Sequence, residues 1–144
     1  AHDATKPDLC HWVAEHAAAL APHRLHATGT TARQLKEAAP QLQFNALRSG
    51  PLGGDQQLGA MIAEGRLHLL VFFQDPMSPM PHDVDVKALV RLCAVYDIPL
   101  ACNRSTGDMM ITSPMFTSPE QLKDRPQPES RFTDYANREL PSVG

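Results

Sequence analysis

The chain reads as an α/β protein of three layers, a parallel sheet flanked by helices. Three observations predict this. Through the first 113 residues, short strand-like runs alternate with stretches of helical periodicity. One run, His68-Leu69-Leu70-Val71-Phe72-Phe73, is almost continuously apolar, which fits a strand buried on both faces. From Pro114 the text changes: five prolines fall in the last 31 positions, among many polar residues. Residues 1–113 are therefore read as one α/β domain. Residues 114–144 are read as a Pro-rich arm.

The elements follow in order. Residues 7–20 place Leu9, Val13, Ala17 and Leu20 at helical spacing, and Thr5 and Pro7 suit the start. A short strand runs from about Arg24 to Thr28. Thr30 or Thr31 caps a helix through about Ala39, which Pro40 stops. Phe44 to Arg48 is a second strand. Asp55 to Glu64 is a helix with Gly65 as its stop. After the apolar third strand comes a Pro-rich loop, Asp75 to Pro81. Asp83 to Tyr96 is the longest helix, with Val86, Leu89, Val90, Cys93 and Ala94 on one face. Pro99 to Asn103 is the fourth strand, and a short helix lies near Thr106–Thr112. A helical end from about Ser130 to Leu140 is expected in the arm. The parallel sheet requires right-handed crossovers. Ala1-His2-Asp3 should itself follow a strand, so a short apolar strand is expected upstream; in a flavodoxin-like order it would be central.

Composition narrows the function. The chain has 144 residues, enough for one real core. Its net charge is −3, with no basic block, which points away from nucleic acid. No apolar run approaches the ~20 residues of a membrane span. No signal peptide is visible. Cys10, Cys93 and Cys102 are an odd number in apolar surroundings, which reads as free buried thiols in a reducing cytosol. Asn103-Arg104-Ser105 fits the glycosylation pattern, but without a secretion signal it carries no weight.

In parallel sheets, ligands sit beyond the carboxyl ends of the strands. The residues there are Thr28-Gly29-Thr30-Thr31, then Ser49-Gly50 and the glycine loop to Asp55, then Asp75 to His82, then Asn103 to Asp108. Hydroxyls and backbone N–H groups at a helix start suit phosphate oxygens; the alternative for the threonines is plain N-capping. Three glycines and a proline in Gly50-Pro51-Leu52-Gly53-Gly54 force a tight path that offers backbone N–H groups to an anion. Asp55 beside it is either a base or a cap. His82, in Pro81-His82-Asp83-Val84-Asp85, stands at a helix N-terminus, which favours a neutral imidazole able to donate to a developing oxyanion. Alternatively, Asp83 and Asp85 simply cap that helix. His2, Asp3 and Lys6 share one helix start, or belong to a frayed terminus. Lys87 and Arg91 read as a solvated face. No HExxH or CxxC spacing supports a metal.

Taken together, His2-Asp3, the threonine box, Ser49-Gly50-Pro51-Leu52-Gly53-Gly54-Asp55, Asp75-Pro76 and Pro81-His82-Asp83-Val84-Asp85-Val86-Lys87-Ala88-Leu89 resemble the methylglyoxal synthase family. The match runs in order from residue 1 to about Pro114. The resemblance implies conversion of dihydroxyacetone phosphate to methylglyoxal and phosphate, with no metal or organic cofactor. By position it implies Asp55 as catalytic carboxylate and His82 at the substrate carbonyl. It implies His2 and Asp3 at the substrate and Lys6 at the phosphate. Thr28, Gly29, Thr30, Thr31, Ser49 and Gly50 become substrate and phosphate binders, and Asp75 and Asp85 acidic residues of the site. It further implies a cytoplasmic homohexamer in which a C-terminal arginine, here Arg138, reaches a neighbour's phosphate. No nucleic acid or membrane partner is expected, and phosphate is both product and potential inhibitor. Two other readings stay open: a regulatory module of the same fold that binds a phosphorylated effector without catalysis, and a different lyase or isomerase acting on a small sugar phosphate.

Overall fold

A computed structural model describes residues 1–78, 83–118 and 129–138. Helix α1 spans Lys6–Glu15 and α2 Ala17–Leu20; β1 is Leu25–Thr28 and α3 Gly29–Ala38; β2 is Phe44–Leu47 and α4 Gly54–Ala63. Then come β3 (Leu70–Val71), α5 (Asp83–Val95), β4 (Leu100–Ala101), α6 (Arg104–Ile111), α7 (Pro114–Thr117) and α8 (Glu129–Asn137). Single turns of 3-10 helix precede α1 and α4, at Asp3–Thr5 and Gly50–Leu52.

All pairing is parallel. β1 and β2 align from Leu25↔Phe44 to Thr28↔Leu47, and β3 and β4 align at Leu70↔Leu100 and Val71↔Ala101. Hydrogen bonds from Phe72 N to Ala101 O and from Gln74 N to Cys102 O continue the second pairing past the short strand. The two pairs form separate ladders. An apolar cavity of about 170 Å³ lies between them, and Leu25, Ala27, Leu70 and Phe72 line it from facing strands. Among the described residues no strand occupies this place.

Alternation along β3 sorts side chains into two cores. Val71 and Phe73 join a cluster built on Leu9, Trp12, Val13, Ala17, Leu20, Ala32 and Leu35. Leu70 and Phe72 join one built on Leu58, Ile62, Leu89 and Cys93. Helices α1 and α3 therefore cover one face, and α4 and α5 the other. The expectation of a fully buried third strand is corrected in part: His68 is exposed, and Val71 and Phe72 are half-buried, because one edge of β3 faces the cavity.

Other boundaries also differ from expectation. The first helix is interrupted at His16, whose backbone leaves the helical region while its Nε2 lies 3.1 Å from Asp108 Oδ1. The same carboxylate accepts from Trp12 Nε1 at 2.8 Å, which joins α1 to α6. This donor holds the Asp108 carboxyl below the usual range. Helix α3 opens at Gly29 with Thr28 in the cap position, so neither Thr30 nor Thr31 is its cap. Helix α6 begins at Arg104, two residues early, because Asn103 leaves the strand and its Oδ1 caps the Thr106 N–H at 2.9 Å. On α5, Val86, Leu89 and Cys93 are buried, but Val90 and Ala94 are exposed. Gly65, at φ 68°, ends α4 as expected. Lys87 and Arg91 are exposed. The three thiols are free; Cys93 alone is buried, and burial pushes it up to about 11. The arm helix starts one residue before the expected span and ends inside it, and Phe132 packs on Tyr96 with ring centroids 5.1 Å apart.

Helix α4 is seated on the end of β2. A Cβ built on Gly54 would lie 2.0 Å from Arg48 O, a backbone atom that cannot swing away. Gly54→Ala is therefore expected to lose about 1–3 kcal/mol or more of stability. A denaturant titration of both proteins measures this.

Candidate active site

The site is assembled from backbone turns at the carboxyl ends of β1, β2 and β3. After β1, Thr28 stays extended and α3 starts at once. The Thr28 side chain makes no capping hydrogen bond. Plain capping therefore does not account for this hydroxyl. Thr30 and Thr31 follow in the first turn of α3, and Thr31 is buried.

After β2 the chain turns through Ser49 and Gly50. Ser49 O accepts from Leu52 N and Gly54 N, both at 2.9 Å. Gly53 adopts φ 95°, a left-handed conformation that glycine takes at little cost, and occupies the cap position of α4. Asp55 is thus not the cap. It sits in the first turn with only 7% of its surface exposed. A Cβ on Gly50 would come within 3.0 Å of Asp55 Oδ2, so glycine there lets the carboxylate rest against the loop.

The chain start is pinned to the end of β3. His2 N donates to Phe73 O at 3.2 Å, and Thr5 Oγ1 donates to the same carbonyl at 2.7 Å. His2 is buried, and its ring meets Phe72 edge-on at 5.2 Å. Its Nδ1 accepts the Asp75 N–H at 2.8 Å, so in the neutral ring the proton is on Nε2. Lys6 is buried and paired with the exposed Asp3 carboxylate. This segment is ordered against β3 rather than frayed.

These turns enclose a cavity of about 230 Å³, lined by Asp3, Lys6, Thr28, Thr30, Thr31, Ser49, Gly50 and Asp55, together with Ala1, Pro51 and Phe72. A buried ammonium among four hydroxyls is a place for an anion. The buried Asp55 carboxyl lies on the same wall. Two larger hollows, of about 740 and 330 Å³, carry no carboxylate. Among the described residues no three His, Cys, Asp or Glu side chains are grouped to hold a metal.

Residues 8–102 match the MGS-like domain family. The chain is 57% identical to methylglyoxal synthase of Pseudoalteromonas atlantica over 129 residues, covering 90% of this chain and 93% of that protein. The chain belongs to the methylglyoxal synthase family. Its sequence is also 52% identical to methylglyoxal synthase of Oleidesulfovibrio alaskensis, covering 96% of this chain and 90% of that one. The crystal structure of methylglyoxal synthase from Elizabethkingia anophelis superposes with a TM-score of 0.83 at 40% identity, over 99% of this chain and 90% of that one.

Not every residue expected from the family pattern lies on the cavity wall. Gly29 is behind it; a Cβ there would stand 3.3 Å from Ser49 N, so its role is the close approach of α3 to β2. His2 and Asp75 meet each other beside the cavity. Asp85 accepts from Gln56 Nε2 at 2.9 Å, between α4 and α5. Arg138 is on the arm, with its guanidinium 3.7 Å from the Tyr135 ring centroid. His82 lies outside the described residues. Phe72 and Thr5 also belong here: Phe72 lines the cavity although in sequence it is one residue of an apolar run, and Thr5, a helix start in sequence, fixes the chain start through Phe73 O.

The Ser78 hydroxyl holds the Asp75 carboxyl below the usual range, helped by the Met77 N–H at 3.0 Å. A lowered value means that the bonded carboxylate is present above the unfolded pKa and lost as pH falls through the folded one. Ser78→Ala should raise the Asp75 pKa toward its ordinary value, read by NMR titration of the carboxyl carbon.

Proposed function

We propose that this cavity converts dihydroxyacetone phosphate into methylglyoxal and inorganic phosphate, with Asp55 as the base. The observation that carries the reading is the buried Asp55 carboxylate on one wall with Lys6 and the threonine hydroxyls. Lys6, Thr28, Thr30, Thr31 and Ser49 take the phosphate. Asp55 then faces the hydroxymethyl carbon and removes its proton. The electrons pass to the carbonyl oxygen, giving an enediolate.

A carboxylate is a weak base for a carbon acid, so the oxyanion needs donors. His82, as a neutral imidazole, is one. His2, with its proton on Nε2, and the Gly50 N–H are others. Asp3, Asp75 and Asp85 act by holding Lys6, His2 and the start of α5. The enediolate next expels phosphate. The hydroxyl oxygen gives its proton to the leaving phosphate and re-forms a carbonyl, and the double bond shifts to the methylene carbon. The bond between that carbon and the phosphate oxygen breaks, its electrons leaving with the phosphate. This needs that bond near-perpendicular to the enediolate plane. The phosphate cradle therefore sets outcome as well as affinity, since an isomerase would hold the same bond in plane. The enol left behind takes a proton at its methylene carbon and becomes methylglyoxal.

The arm of residues 114–144 is assigned to subunit contact in a homohexamer, with Arg138 reaching a neighbour's phosphate. Exposure of Arg138 supports this reading. Three free thiols support a reducing, cytoplasmic setting. Among the described residues no helix is long and apolar enough to cross a membrane.

Asp55→Asn keeps the shape and removes the base. It should lower kcat by about 10²–10⁴ in an assay that measures methylglyoxal and phosphate together. Near-normal phosphate release would sink the assignment. His82→Gln should lower kcat by about 10²–10³, and an unchanged kcat removes it from the mechanism. Binding of dihydroxyacetone phosphate without turnover by the unaltered chain would favour an effector-binding module.

A further inference from the structure

Gln57 has no place in the chemistry above and does not line the cavity. Its side-chain Oε1 nevertheless accepts the Arg48 N–H at 2.8 Å. Its own N–H donates to Gly53 O at 3.0 Å, as the first turn of α4 requires. The Arg48 backbone is held from two sides: its N–H by Gln57, and its carbonyl by the Gly29 N–H at 3.2 Å. The next two residues, Ser49 and Gly50, form cavity wall, and Asp55 lies two residues before Gln57 on the same helix. The loop between them carries glycine at 50, 53 and 54, so it has few side chains with which to fix itself.

We propose that Gln57 is a positioning residue for substrate phosphate. Through the Arg48 N–H it locks the Ser49-Gly50 wall in register with the helix that carries Asp55. A carbonyl acceptor is what the position needs; charge and bulk are incidental. The inference rests on the reading of the cavity as a phosphate and triose phosphate site.

The test compares Gln57→Met, which keeps the length and loses the acceptor, with Gln57→Glu, which keeps an acceptor at the same atom. Gln57 is on the exposed side of α4, so both variants should fold, and a thermal melt checks this. Steady-state kinetics with dihydroxyacetone phosphate and calorimetry with inorganic phosphate are run on each. One neutral hydrogen bond corresponds to about a three- to tenfold effect. Gln57→Met should raise KM and the phosphate Kd by that factor, with any fall in kcat no larger than that factor. Gln57→Glu should restore both. Unchanged KM and Kd in Gln57→Met overturn the proposal, as does a Gln57→Glu variant no better than Gln57→Met. A lowered melting temperature with unchanged phosphate binding assigns the residue to stability alone and also overturns it. If the unaltered chain binds phosphate but does not turn over dihydroxyacetone phosphate, the functional reading fails. The phosphate Kd values then still decide the role of Gln57.

Discussion

At Arg48 three stretches of backbone come closer than side chains would allow. The end of β2 meets the start of α3 at Gly29, where a Cβ would press on Ser49 N, and the start of α4 at Gly54, where a Cβ would overlap Arg48 O. Parallel pairing of β1 with β2 sets this up by bringing Thr28 and Leu47 level. Both strands then end together, and both following helices start from one point. The hydroxyls of one turn and the carboxylate of the next share a cavity because no side chain separates the turns.

The other half of the site has a different foundation. Thr5 and the His2 backbone both bond the Phe73 carbonyl, so the chain start is fixed to β3 and not to the glycine turns. Burial of Lys6 follows from this attachment, and its pairing with Asp3 offsets the cost of placing an ammonium there. The cavity therefore spans two sheet halves: the hydroxyls and the Asp55 carboxyl come from one, and the Lys6 ammonium from the other. Each face of the sheet has its own core, and β3 feeds both by alternation.

Much of this was legible in one dimension. The i, i+4 spacing of Leu9 and Val13 marks the face of α1 that packs, and Gly65 marks the end of α4, because both depend on local periodicity and backbone freedom. Glycine density before Asp55 exceeds what a cap needs, and the excess is spent on close approach. The break at His16 was not legible. The partner of its side chain, Asp108, lies 92 residues away, and no local propensity reports such a partner. Val90 and Ala94 are exposed for a related reason: periodicity shows which residues share a face, but not how wide a partner covers that face.

The sequence by itself determined the parallel α/β architecture, the residue types at each strand end and the family, because these follow from pattern and composition over short spans. Only the tertiary structure decided which of those residues meet. It took Asp55 out of the capping position and buried it, left the Thr28 hydroxyl unspent on capping, and set His2 against Asp75. It also brought the Gln57 side chain to the Arg48 N–H. These are distances between chain segments joined through hydrogen bonds and close backbone contact, and neither is written in the order of residues along any one of them.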